Sequence, residues 1–144
     1  MIETRGTPDQ LRLAICATLP EIDLACEAVK RFLGERGLAK AIFAIILLAR
    51  EALLNAVVHG SGSDPAKQVD FSISLESGGL VIRVEDQGPG FDAARDFSLA
   101  PPDQSHGRGL FIMKEYSDGL VFNDKGNALT LRKSIIRENG NESS

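Results

Sequence analysis

"REALLNAVVHG" (residues 50–60) continues an apolar run, "AIFAIILLA" (41–49), that has the composition of a core helix, yet it sets Glu51 and Asn55 one helical turn apart on one face. At 100° per residue, Lys40, Glu51, Asn55 and His59 fall within about 100° of one another. Ala41, Ala44, Leu47 and Leu48 lie on or beside the same stripe, so the polar groups gather in the helix's last turns. A pair spaced E-x-x-x-N is common on solvated helix faces and alone decides little; its concentration at one helix end is what resembles a site.

The surrounding elements follow from periodicity. "LRLAICATL" (11–19) alternates as a strand does, and Pro20 then opens "PEIDLACEAVKRFLGERG", whose apolar residues recur at helical spacing until Gly34 and Gly37. The central helix is expected from about Leu38 to Val58, ending at "HGSGSDP". "QVDFSISLE" and "LVIRVEDQ", separated by Ser77-Gly78-Gly79, form a hairpin pattern. "LFIMKEY" returns to helical spacing, and "GLVFND", "KGN" and "ALTLRKSII" make a closing hairpin. The leader "MIETRGTPDQ" is polar, and the tail 137–144 is expected to be disordered. Helices early and antiparallel strands mostly later predict an α/β (α+β) fold: a two-layer sandwich with a mixed, mainly antiparallel sheet covered on one face by helices.

The chain has 144 residues, 43% hydrophobic, with 16 basic and 20 acidic side chains. One core and a single domain over 1–144 are expected. A net charge of −4 and no Lys/Arg cluster give no footprint for nucleic acid or an anionic membrane. The uncharged run 41–49 is shorter than the ~20 residues that cross a bilayer, and the leader has no signal-peptide hydrophobic region, so a cytoplasmic location is expected. Cys16 and Cys26 are expected to be buried free thiols.

Two further stretches carry chemistry. In "VEDQGPGFD" a strand ends in Asp86, and Gly88 and Gly90 follow; a carboxylate held by a sheet beside glycines suits close backbone approach to a ligand, though the same pattern also makes a plain turn. In "SHGRGLFIM" Gly107 and Gly109 lead into a helix, whose free N–H groups and dipole could meet phosphate oxygens; a flexible helix start with Arg108 in solvent reads equally well. Between them, "GPGFDAARDFSLAPPDQSHGRG" (88–109) is a long Gly- and Pro-rich connection of the kind that more often binds a ligand than fills space.

The succession E-x-x-x-N, D-x-G-x-G-F, G-x-G-L resembles the nucleotide-binding boxes of the GHKL superfamily of ATPases and kinases, from about residue 10 to 135, and within it most resembles the bacterial anti-sigma-factor serine/threonine kinases. No dimerisation helix with a phosphorylatable histidine precedes the first box, as sensor histidine kinases normally require. The resemblance implies ATP and Mg²⁺ as cofactors. It assigns the Mg²⁺ ligand to Asn55, the catalytic base to Glu51, adenine recognition to Asp86 over a floor of Gly88 and Gly90, and the phosphate side to Gly107, Arg108, Gly109 and Leu110. Phe91 to His106 would form a short ATP lid. His59 has no assigned chemistry.

The implied function is an ATP- and Mg²⁺-dependent serine/threonine protein kinase acting as an anti-sigma factor, with a STAS-domain anti-anti-sigma protein as substrate, a sigma factor as a second partner, and a homodimeric state. The alternative is a nucleotide-responsive binding module that holds a sigma factor or STAS protein without efficient phosphoryl transfer.

Overall fold

The structure is a computed structural model that describes residues 1–4, 7–88 and 105–135, with the backbone alone over 105–107. A six-stranded sheet runs in the order β1-β2-β3-β4-β6-β5: β1 Ile2–Thr4, β2 Gln10–Cys16, β3 Gln68–Glu76, β4 Gly79–Asp86, β5 Gly119–Phe122 and β6 Ala128–Ser134. Every pairing in it is antiparallel, so the expected "mixed" sheet is antiparallel throughout its described strands. The consecutive strands β1–β2, β3–β4 and β5–β6 pair directly, whereas helices intervene between β2 and β3 and between β4 and β5; β5, added beyond β6, runs in the same direction as β4.

Alternation in the strands sets the two faces. Leu11, Leu13 and Ile15 of β2, Val69, Phe71 and Ile73 of β3, Leu80, Ile82 and Val84 of β4, and Leu129 and Leu131 of β6 point into one core. Arg12, Asp70, Arg83, Glu85 and Arg132 alternate with them on the outer face. β3 and β4 join through Ser77 and Gly78, whose φ of +76° is a left-handed conformation that glycine adopts without strain.

Helices cover the apolar face. Helix α1 (Leu19–Glu35) has Pro20 in its first turn and buries Ile22, Ala25, Val29, Phe32 and Leu33. After a 3₁₀ turn at Ala39–Ala41 comes α2 (Ile42–Leu54), and after a second connection α3 (Ser105–Tyr116). α2 lies between α1 and α3 and touches β4 and β6. Its Ile45, Leu48, Ala49, Ala52 and Leu53 are fully buried, each large side chain contributing about 1.5–3 kcal/mol through burial. Residues 39–60 are long and apolar enough by composition to cross a membrane, which the shorter uncharged run did not anticipate; in the fold Ile45, Leu48, Ala49, Ala52, Leu53, Ala56 and Val57 join the core while Phe43 stays exposed.

Several local expectations are corrected. The polar leader forms edge strand β1, because pairing with β2 satisfies its backbone without any apolar pattern. Cys26 is buried, but Cys16 is exposed, since it ends β2 on the outer face. α3 begins at Ser105, so Gly107 and Gly109 lie within its first turn or just past it and not ahead of it. The tail 137–144, Gly90 and residues 91–104 of the expected lid lie outside the described residues.

Candidate functional site

α2 does not end as an α-helix. From Asn55 to Gly60 it widens into a π-turn, in which the N–H of Ser61 donates to the carbonyl of Ala56 five residues back, at 2.8 Å. Such turns are rare and recur at functional sites. Glu51 projects from the last regular turn and Asn55 stands at the junction.

Glu51, Leu54, Asn55, Val58 and His59 line a cleft whose opposite wall is Gly109 and Leu110 of α3. The cavity between them is small, about 50 Å³, room for an ion or a water. Leu110 is fully buried and anchors α3 behind the cleft. Gly109 matters for what it lacks: a Cβ there would stand 2.8 Å from Glu51 Oε1. Burial raises the Glu51 pKa above its ordinary value, and the positive charges of Arg50 and Arg108 oppose the shift. Arg108 itself is exposed.

Asp86 and Gly88 do not line this cleft. They pack at the far end of the π-turn, against Gly60. A Cβ on Gly60 would collide with the Asp86 carboxyl group, and a Cβ on Gly88 would collide with the carbonyl oxygen of Gly60. Two backbone-thin positions, Gly60 and Gly88, thus press together around one carboxylate that is only 7% exposed. Asp86 Oδ1 accepts the Gly88 N–H at 2.7 Å. Burial raises the Asp86 pKa, and the Gly88 hydrogen bond opposes that rise by favouring the ionised form.

The backbone of Asp86 is held too. Its N–H donates to the Asn127 carbonyl at 2.9 Å, and Asn127 Nδ2 donates to the Asp86 carbonyl at 3.1 Å. On the other side, Gln87 Oε1 accepts the N–H of Gln68 at 2.8 Å.

The structure therefore brings Glu51, Asn55, Gly109 and Leu110 together, and Asp86 with Gly88, and links the groups through Asn55–Gly60. Gly107 lies in the first turn of α3, and Gly90 falls outside the described residues. Lys40, on the same predicted stripe as Glu51, sits exposed in the 3₁₀ turn before α2 and away from the cleft. Gly60 was legible only as a helix stop, and Asn127 only as part of a turn; nothing in their neighbourhoods signals a contact with Asp86.

Comparison with known proteins places these residues in a family. Anti-sigma F factors of Geobacillus kaustophilus and Geobacillus thermodenitrificans are 32% and 34% identical over 95 residues, which is 60% of this chain and 65% of each relative. The anti-sigma F factor of Clostridium perfringens is 31% identical over 93 residues, 59% of this chain and 66% of that relative. The chain thus matches a little under two thirds of the length of the first two. The model of the histidine kinase-like ATPase domain matches residues 15–133, which include every described site residue above, and the chain belongs to that family.

Proposed function

We propose that this protein is a cytoplasmic, ATP- and Mg²⁺-dependent serine/threonine kinase acting as an anti-sigma factor, whose substrate is a STAS-domain anti-anti-sigma protein. The observation that carries the reading is the Glu51 carboxylate lying against the α-carbon of Gly109, with Asn55 in the same cleft. The family supports ATP as the nucleotide, and the names of the relatives support the sigma-factor role.

The residues fit the two cofactors. Gly88 and Gly109 carry no side chain beside the Asp86 and Glu51 carboxylates, so the backbone there is bare where a ligand would approach. Among the described residues no three His, Cys, Asp or Glu side chains gather as a metal cage. The oxygens this cleft offers, from Asn55 and Glu51, are of the hard kind that Mg²⁺ takes one or two at a time, completing its shell with phosphate and water. Asn55 would supply a neutral amide oxygen. When bound, ATP supplies the phosphoryl group and Mg²⁺ offsets its charge.

Glu51 would then orient the attacking hydroxyl and take its proton. Partial burial increases its proton affinity, which makes it a stronger base than a solvated carboxylate, while Arg50 and Arg108 keep it from being protonated too readily. Asp86 would accept a hydrogen bond from the exocyclic amino group of adenine; guanine would present a carbonyl to the same oxygen. The first turn of α3 would offer N–H groups to phosphate, with the positive end of the helix dipole behind them.

The test is incubation with labelled ATP, Mg²⁺ and the STAS protein encoded nearest its gene, beside Glu51→Gln. Label on a serine or threonine of the partner, lost in the variant, supports the kinase. Nucleotide-dependent complex formation without label would replace it with a non-catalytic binding module.

A further inference from the structure

Asp86 ends β4, and a carboxylate at a strand end keeps its direction only if the strand end is pinned. Two flanking amide side chains do this: Gln87 ties the chain to the start of β3, and Asn127 ties it to the start of β6. The Asn127 clamp is bidentate, since its carbonyl accepts the Asp86 N–H while its side chain donates to the Asp86 carbonyl.

Asn127 is itself held with unusual completeness. Asn123 Oδ1 accepts the backbone N–H groups of Gly126, Asn127 and Ala128, at 2.8, 3.0 and 3.1 Å. Asn123 Nδ2 then donates to Asn127 Oδ1 at 2.8 Å, which orients the amide so that its Nδ2 faces Asp86. Gly126, at φ +81°, permits the turn that makes this possible. A hairpin turn needs only backbone bonds to close; here one side-chain bond, from Asn127 Nδ2, crosses to β4 and holds the Asp86 backbone.

We infer that Asn127, oriented by Asn123, is a positioning residue for base recognition: its bond to the Asp86 carbonyl sets the direction of the Asp86 carboxylate and thereby the preference for an adenine over a guanine nucleotide. The inference rests on the reading of Asp86 as the adenine acceptor. Asn127 need not touch the nucleotide. Its effect passes through the backbone of Asp86 and falls first on the base, because the cleft of Glu51, Asn55 and Gly109 shares none of these bonds and meets Asp86 only through the turn that ends at Gly60.

The experiment measures ATP and GTP affinities of the full chain with Mg²⁺ by calorimetry, for the native protein, Asn127→Ala and Asn127→Asp. Asn127→Asp keeps the shape and the backbone bond but replaces the Nδ2 donor with an acceptor facing the Asp86 carbonyl. Both variants are expected to lose about tenfold in ATP affinity with GTP affinity little changed, so that selectivity falls about tenfold, as loss of one well-placed hydrogen bond implies. Melting temperatures of the same samples report folding separately.

Equal losses for ATP and GTP, or an unchanged ATP affinity, would overturn the inference, because a merely structural clamp weakens both nucleotides alike. Retained selectivity in Asn127→Asp alone would also overturn it, since the donor would then be irrelevant. Failure of the underlying reading looks different: the native protein itself would not prefer ATP over GTP.

Discussion

The α-carbon of Gly109 faces the carboxylate of Glu51 so closely that a methyl group there would stand 2.8 Å from Oε1. This contact joins α2 to α3 at the candidate site. It is also inexpensive to disturb, since the opposing atom is the free end of a flexible side chain.

Gly109→Ala should therefore fold normally, with a melting temperature within a few degrees of the native protein, because alanine favours the helix and Glu51 can swing aside. Phosphoryl transfer should fall about a hundredfold, as displacing a reacting group by about 1 Å commonly does. Transfer assays beside thermal melts check it; native activity in a folded variant would remove Glu51 from the chemistry.

Gly88→Ala should behave in the opposite way. The added carbon would meet the backbone carbonyl of Gly60, which cannot swing aside, so the fold must shift. A loss of about 2–3 kcal/mol is expected on chemical denaturation, together with loss of ATP binding. A stable Gly88→Ala protein would mean that the Gly60–Asp86–Gly88 contact relaxes freely.

Asn55→Ala and Glu51→Gln should separate. The first should make nucleotide binding insensitive to Mg²⁺, seen by titration with and without the cation. The second should bind ATP nearly as the native protein does and lose transfer. Equal loss of binding in both would identify Glu51 as a structural carboxylate.

Burial raises the Glu51 pKa above its ordinary 4.5, so the folded state binds this proton more readily than the unfolded state does. The resulting stability is fully present below 4.5 and is lost as the pH rises through the raised folded value. Glu51→Gln, which is always neutral, should therefore melt at a higher temperature than the native protein at about pH 8, with the difference vanishing near about pH 4. Scanning calorimetry of the pair across that range checks the sign, and a constant difference would mean that Glu51 is solvated as in the unfolded chain.

Much of this was legible in the chain. The apolar run before "REALLNAVVHG" predicted a core helix with Glu51 and Asn55 on one face, and the cleft contains both. The alternation of "QVDFSISLE" and "LVIRVEDQ" around Gly78 predicted the hairpin that delivers Asp86 to a strand end. Strand β1 was not legible, because three residues at an edge need no apolar pattern to pair. Nor was the π-turn, which ends where Gly60 seats against Asp86 and has no local periodicity of its own.

The sequence by itself determined which faces are apolar, where the chain turns and which polar residues stand one helical turn apart, because these are properties of neighbours along the chain. Only the tertiary structure decided that Gly109 meets Glu51, that Gly60 and Gly88 close around Asp86, and that Asn127 clamps Asp86 from 41 residues away. Those contacts follow from the register of an antiparallel sheet and the seating of helices upon it. Register and seating are fixed by the core as a whole, so no single stretch of sequence encodes them.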